Sequence, residues 1–221
     1  MKISFLTTSS EHPVFPLLQN WVEQNKSNHE IDLVLKKQEL KGGDVLFLIS
    51  CHELIEKKIR DSYQSVLILH ASDLPKGRGW SPHIWDILNG KNKFYLCLLE
   101  TEDAVDSGKI WKKVSINLTG DELFDEINDK LFAAEFELVD FAVKNFGNIL
   151  PKEQNNSEAT YYPRRKPEDS ELDTSKSIAS QFNLMRVSDP VRYPTFFSYR
   201  GAKYRIVLNK INAKSDRDDF N

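Results

Sequence analysis

No run of apolar residues in this chain reaches the roughly 18 positions that a membrane-crossing helix needs. The opening Met1–Leu6 is apolar, but polar residues follow at once, so it reads as a first strand and not as a secretion signal. Cysteine is scarce. Cys51 and Cys97 are the only two, each in or beside an apolar run, and they fit free core thiols of a cytoplasmic protein. Cys51-His52 has no further Cys/His spacing to accompany it, so no metal is expected there. Positive charge is not in excess, since 30 Lys and Arg face 33 Asp and Glu for a net charge of −3. A protein that grips nucleic acid through many phosphates shows a basic face, so neither a nucleic-acid nor a membrane partner is expected. The chain has no internal repeat, no Gly-x-Gly-x-x-Gly and no Walker-type loop, which leaves a nucleotide-hydrolase reading without support.

What the chain does have is enough apolar material, 40% of its 221 residues, to bury one large domain and a small appendage. Strand-like runs at residues 2–7, 31–35, 44–50, 65–70, 93–100 and 110–118 alternate with helical spacings at 14–25, 54–60 and 82–88. That alternation predicts an α/β fold: a Rossmann-like, mostly parallel sheet flanked by helices. Leu17, Leu18, Trp21 and Val22 are expected on the inner face of the first helix. The longest helix is predicted over 121–146, capped by the Thr119–Glu122 stretch. Residues 151–160 hold a wholly polar run and read as a linker or exposed loop, dividing a domain at 1–150 from a small α+β appendage at 151–221. Within the appendage, 175–186 is predicted helical with Ile178, Phe182 and Met185 inward, and 193–207 reads as a hairpin turning near Arg200-Gly201. The charged stretch 214–221 is expected to fray.

The stretch Val66–Pro82 organises the rest. Four apolar residues run into His70, which therefore ends a buried strand, where open parallel sheets bind ligands. Pro75, Gly77, Gly79 and Pro82 then impose an irregular loop bearing Lys76, Arg78, Trp80 and Ser81. Asp106-Ser107-Gly108-Lys109-Ile110 follows the next apolar run, so a histidine and a carboxylate stand at neighbouring strand ends, a pairing suited to general acid–base work. Read singly, His70 could merely end a strand and Asp106 merely make a turn.

His-x-Ser-x-Leu-Pro-x-x-x-Gly-x-x-Pro from His70, followed by Asp-x-Gly-x-Ile from Asp106, resembles the formyltransferases that use N10-formyltetrahydrofolate. Leu74–Gly79 with Trp85 downstream is most similar to the branch that formylates nucleotide-linked amino sugars. Arg-Arg-x-Pro-x-Asp from Arg164, Asn-Leu-x-Arg ending at Arg186, Tyr193-Pro194 and the hairpin resemble the tail of the same branch. The tail is shorter than the carboxyl-terminal domain of the transfer RNA enzymes, and with the charge balance this sets the methionyl-tRNA branch aside.

The resemblance implies that His70 and Asp106 are catalytic, and that formyl moves from N10-formyltetrahydrofolate to the amine of a nucleotide sugar. It implies folate contacts at Ser50, Cys51 and His52 and in the loop of Thr101, Glu102, Asp103 and Val105. Lys76, Arg78, Trp80, Ser81, Arg164, Arg165 and Arg186 could meet the nucleotide sugar, with arginine forks on its diphosphate, the alternatives being a solvated basic patch at 164–166 and plain junction packing for Trp80. The substrate implied is a UDP-linked 4-amino-4,6-dideoxy sugar of the pseudaminic acid pathway, used in surface glycans. Oligomeric state stays open. One position departs from the family pattern: Ile68 stands where the family carries asparagine. It motivates the alternative of a catalytically weakened folate- or sugar-nucleotide-binding protein.

Overall fold

The computed structural model describes residues 1–211, so the charged stretch 214–221 lies outside the described residues. Four strands, β1 (Lys2–Leu6), β2 (Glu30–Val34), β3 (Gly43–Leu48) and β4 (Tyr63–His70), pair in parallel. A two-residue strand β5 (Arg78–Gly79) follows, and then β6 (Lys93–Glu100) and β7 (Ile110–Asn117) complete the main sheet in antiparallel pairing. The main sheet order is β2-β1-β3-β4-β6-β7. The mostly parallel α/β sheet expected from the alternation is the one observed.

Helices α1 (Phe15–Asn25), α3 (Pro82–Leu88) and α4 (Phe124–Lys144) contribute to the larger core; the short α2 (Lys57–Arg60) follows β3. That core holds Phe5, whose ring stacks on Phe47 at 5.2 Å and meets the edge of Trp21 at 5.1 Å. Burying each such side chain contributes about 1.5–3 kcal/mol. Trp21 Nε1 donates to Asp140 Oδ1 at 2.7 Å and ties α1 to α4. The inner stripe of α4 carries Leu131, Phe132, Leu138 and Val139, and among them one carboxyl, Glu135, which is 7% exposed. Its Oε2 has no hydrogen-bond partner, and burial pushes its pKa up to about 8. Among the described residues no helix is long and apolar enough to cross a membrane.

Besides three short 3-10 turns, the other elements are β8 (Tyr161–Tyr162), α5 (Ile178–Arg186) and a hairpin of β9 (Thr195–Tyr199) and β10 (Ala202–Ile206). Its turn falls at Arg200-Gly201, as predicted.

Several expectations are corrected. Leu17 is 41% exposed, because the buried stripe of α1 runs through Leu18 and Trp21 and Leu17 lies beside it. Ile178 is 76% exposed, because α5 seats its carboxyl end on the core through Met185 and Val187 and leaves its first turn outside. α4 starts at Phe124 and not at Asp121. The Glu122 carboxylate folds back to accept the Thr119 and Gly120 N–H groups at 2.8 and 3.0 Å, and Glu126 accepts from Leu123 N–H at 2.8 Å. Of the two readings of residues 151–160, the exposed loop is the one observed, and it is tied down at points along its length. Lys152 pairs with Ile110 through both backbone groups, and β8 pairs in parallel with β5. The run lacks apolar residues because polar bonds, and not burial of apolar surface, attach it.

Candidate active site

The sheet delivers His70 to the end of β4 with its side chain 8% exposed. His70 shares a face with Ile68, and Ile68 packs in the apolar cluster with Leu74, Cys97 and Leu99. Residues 101–109 return from β6 to β7 and bring Asp106 alongside. His70 Nδ1 lies 3.4 Å from Asp106 Oδ1, and the Asp106 side chain is 5% exposed. The other imidazole nitrogen, Nε2, lies 2.9 Å from the Gly77 carbonyl oxygen. Both ring nitrogens thus face oxygen atoms. Nearby, His83 on α3 is held neutral, its pKa lowered to about 4 by burial and then by His70.

Backbone from the motif loop completes the pair. Asp106 Oδ2 accepts from Gly79 N–H at 2.9 Å. Gly79 has φ +95°, and a Cβ there would come within 2.5 Å of the Tyr162 carbonyl. The glycine therefore permits both the turn and the close approach of β8. Gly108 answers a similar demand, since a Cβ there would meet the Glu100 carbonyl at 1.9 Å. The glycines of both motifs are there because backbone passes against backbone, and that contact aims Asp106 at His70.

The polar run after residue 150 locks this arrangement. Gln154 Nε2 donates to the carbonyls of Asp106 and Gly108 at 2.9 and 2.7 Å. Thr160 Oγ1 accepts from Gly77 N–H at 2.8 Å, on the residue whose carbonyl holds His70. Arg78 points inward and donates to Gln154 Oε1 at 2.8 Å and Asn156 Oδ1 at 2.6 Å. Sequence reasoning missed Gln154 and Thr160, because a polar run carries no periodicity that distinguishes a lock from a loop.

The other expected residues divide by position. Trp80 is stacked on His52 at 5.5 Å, and the Arg164 guanidinium lies over the Trp80 ring at 4.7 Å. The end of β3, the motif loop and the tail therefore meet at one aromatic centre. Lys76 and Ser81 are exposed on the same loop. Ser50 contacts His12 at 3.2 Å. Cys51 donates to the Glu53 carbonyl at 3.6 Å, and burial raises its pKa, which does not suit a nucleophile. Thr101 has a buried hydroxyl with no partner, and so has Ser72 beside His70. Glu102 and Val105 are exposed, and exposed Asp103 pairs with Arg60.

Three arginines have their guanidinium groups engaged within the protein. Arg78 is consumed by the lock just described. Arg165 is half-buried and donates to the Asp169 carbonyl at 2.9 Å. Arg186 is 1% exposed, bonded to Asn183 at 2.8 Å and to the Glu122 carbonyl at 3.3 Å. The structure thus corrects the expectation that Arg186 is free to meet a diphosphate: its guanidinium joins α5 to the start of α4.

Residues 5–143 match the family described as formyl transferase. A methionyl-tRNA formyltransferase of Bacillus subtilis is 30% identical over 185 residues, which is 81% of this chain and 56% of that protein. The chain thus spans little more than half the length of this relative. Among solved structures, HypX from Aquifex aeolicus in complex with tetrahydrofolic acid superposes with a TM-score of 0.80 at 20% identity, covering 94% of this chain and 37% of that one. A sugar N-formyltransferase from a Shewanella species superposes with a TM-score of 0.72 at 14% identity, covering 97% and 99%. At these identities the two structures share a fold.

Proposed function

The chain belongs to the formyl transferase family, and from that premise we propose that it moves a formyl group from N10-formyltetrahydrofolate to the amine of a nucleotide-linked amino deoxysugar. The observation that carries this reading is the buried His70–Asp106 pair, aimed by backbone groups of both motifs. In the reaction the neutral amine attacks the formyl carbon. A new C–N bond forms, the C–N10 bond breaks, the amine loses a proton and N10 gains one. His70 is assigned the proton transfer and a hydrogen bond to the developing oxyanion, both through Nε2, which exchanges the Gly77 carbonyl for the substrate, and Asp106 the support of the charged imidazole through Nδ1.

The folate is assigned to the walls formed by Ser50–His52 and the loop from Thr101 to Val105. The unpartnered Ser72 and Thr101 hydroxyls fit a site that completes its hydrogen bonds on a ligand. A relative in fold binds tetrahydrofolic acid. For the nucleotide sugar, Trp80 and Arg164 offer a stacking face and a guanidinium, with Lys76 and Ser81 on the same loop. Arg165, next in the chain to Arg164, is already engaged with the Asp169 carbonyl. A sugar N-formyltransferase shares the fold, and the net charge of −3 speaks against transfer RNA. Ile68, packed among apolar side chains, favours a second reading as a non-catalytic binder.

Incubation with formyltetrahydrofolate and a panel of UDP- and dTDP-linked amino sugars, with methionyl-tRNA alongside, tests this. Formamide product on a sugar nucleotide is expected, and the UDP-4-amino-4,6-dideoxy sugar of the pseudaminic acid pathway is the first to try. Formylation of the transfer RNA alone would overturn the acceptor. Binding without product would favour the second reading.

Arg164→Ala is expected to raise KM for the sugar nucleotide about 10-fold or more while leaving KM for the folate unchanged, since a hydrogen bond to a charged group is worth about 1.5–3 kcal/mol. An unchanged KM for the nucleotide would return Arg164 to the role of a solvated cation resting on Trp80.

A further inference from the structure

The chain moves from β1 to β2 on one side and then crosses to β3 on the other, so the direction of winding reverses between β1 and β3. Crevices at such points, outside the carboxyl ends of the strands, are where open α/β sheets take their ligands. Thr8, His12 and Ser50 meet at this one. Thr8 Oγ1 donates to the Ser50 carbonyl at 3.1 Å and accepts from His52 N–H at 3.2 Å. Ser50 has φ +49°, in the left-handed region. Residues with a Cβ are rarely held there, and those that are concentrate at functional sites. Of the four such residues among those described, Ser50, Ser81 and Asp106 belong to the stretches that build this site, and Arg200 makes the hairpin turn.

His12 decides which way the Ser50 hydroxyl points. The Val14 N–H donates to His12 Nδ1 at 3.2 Å. A ring nitrogen that accepts carries no proton, so the imidazole is neutral with its hydrogen on Nε2. Burial, then Arg192 and His52, lower the His12 pKa to about 4, which keeps this form at neutral pH. Nε2 lies 3.2 Å from Ser50 Oγ and therefore donates to it. Ser50 is left with its own hydrogen to give, and among the described residues it has no acceptor. Leu48, the last residue of β3, pairs with Ile68, and the two chains run on from there to Ser50 and to His70 respectively. Ile68 itself has no polar side-chain group to offer.

We propose that His12 is a positioning residue that holds the Ser50 hydroxyl as a hydrogen-bond donor to the carbonyl oxygen of the formyl group. This rests on the folate reading above. As the amine attacks, that oxygen gains negative charge and the bond from Ser50 strengthens, opposite the contribution of His70.

The test measures binding without turnover. Dissociation constants are determined calorimetrically for 10-formyl-5,8-dideazafolate and for 5,8-dideazafolate, which lacks the formyl group. The parent protein is expected to prefer the formylated ligand by about 3- to 10-fold, the worth of one neutral hydrogen bond. Ser50→Ala and His12→Leu should bring the ratio to about one, whatever either does to the affinity shared by both ligands. His12→Gln, whose amide can accept from Val14 and donate to Ser50, should restore most of the preference. A Ser50→Ala variant with the parental ratio would overturn the inference, even if His12→Leu failed to fold. A parent that bound both ligands equally would also overturn it and leave the folate reading standing. A parent that bound neither would overturn both.

Discussion

Replacing His70 with asparagine is expected to lower the formyl-transfer rate by about 10²- to 10⁴-fold, the usual cost of removing a positioned acid–base group. The upper part of that range is anticipated because Ile68, its neighbour on the same face, has no donor to share the load. Both imidazole nitrogens are committed in the structure, Nδ1 toward Asp106 and Nε2 toward the Gly77 carbonyl. An asparagine amide can donate to one of these oxygens but cannot carry a proton between amine and folate nitrogen. Asp106→Asn should also cost heavily, because it removes the charge that supports an imidazolium. It also weakens the bond that Gly79 N–H makes to Oδ2, so part of its effect is geometric. The two losses should be far from additive in the double variant, as for residues that act as one unit. Circular dichroism should show both variants folded, and folate binding should persist, since each residue sits at a strand end. Steady-state rates on the accepted sugar nucleotide check the result. A His70→Asn variant with near-parental turnover would sink the assignment of the site.

Replacing Glu135 with methionine is expected to stabilise the protein, and by more as pH rises. The carboxyl lies in the main core with one oxygen unpartnered, and its pKa is pushed from an ordinary 4.5 to about 8 by burial. Below pH 4.5 the group is protonated in both folded and unfolded chains and adds no pH-linked term. Between 4.5 and about 8 the unfolded chain releases the proton while the folded chain keeps it, so the parent loses stability as pH rises. One pKa unit corresponds to about 1.4 kcal/mol, so the loss is about 3 kcal/mol at pH 7 and levels off near pH 8. Methionine fills similar space with no charge to release. Urea unfolding of parent and variant at pH 5, 6, 7 and 8 should show the difference in stability widening across the series. A difference that stays constant would mean that the carboxylate finds compensation in the core.

Much of the fold was legible because strand and helix periods are local. Residues 93–100 and 82–88 form the strand and helix that their apolar pattern predicts. Errors fell at helix ends. The start of α4 is set by how Glu122 folds back onto Thr119 and Gly120, a contact that no spacing rule displays. Ile178 had the right spacing for an inner face but lies in a turn of α5 that extends beyond the core.

The sequence by itself determined the α/β class and placed His70 at the end of a buried strand. It also placed Asp106 beyond the neighbouring one, since apolar runs and turn-forming glycines act over a few residues. The tertiary structure alone decided what stands beside each of them. Arg78, Arg164 and Arg186 are alike as letters, yet one is bonded to the polar run after residue 150, one lies over Trp80 and one is buried against the start of α4. His12 has a tautomer only because Val14 N–H and Ser50 close around it. Gln154 reads as linker until it is seen holding the carbonyls of Asp106 and Gly108. The physical reason is range: periodicity and turn chemistry are written in neighbouring residues. The direction of a hydrogen bond or the burial of a charge depends on groups that fold in from elsewhere in the chain.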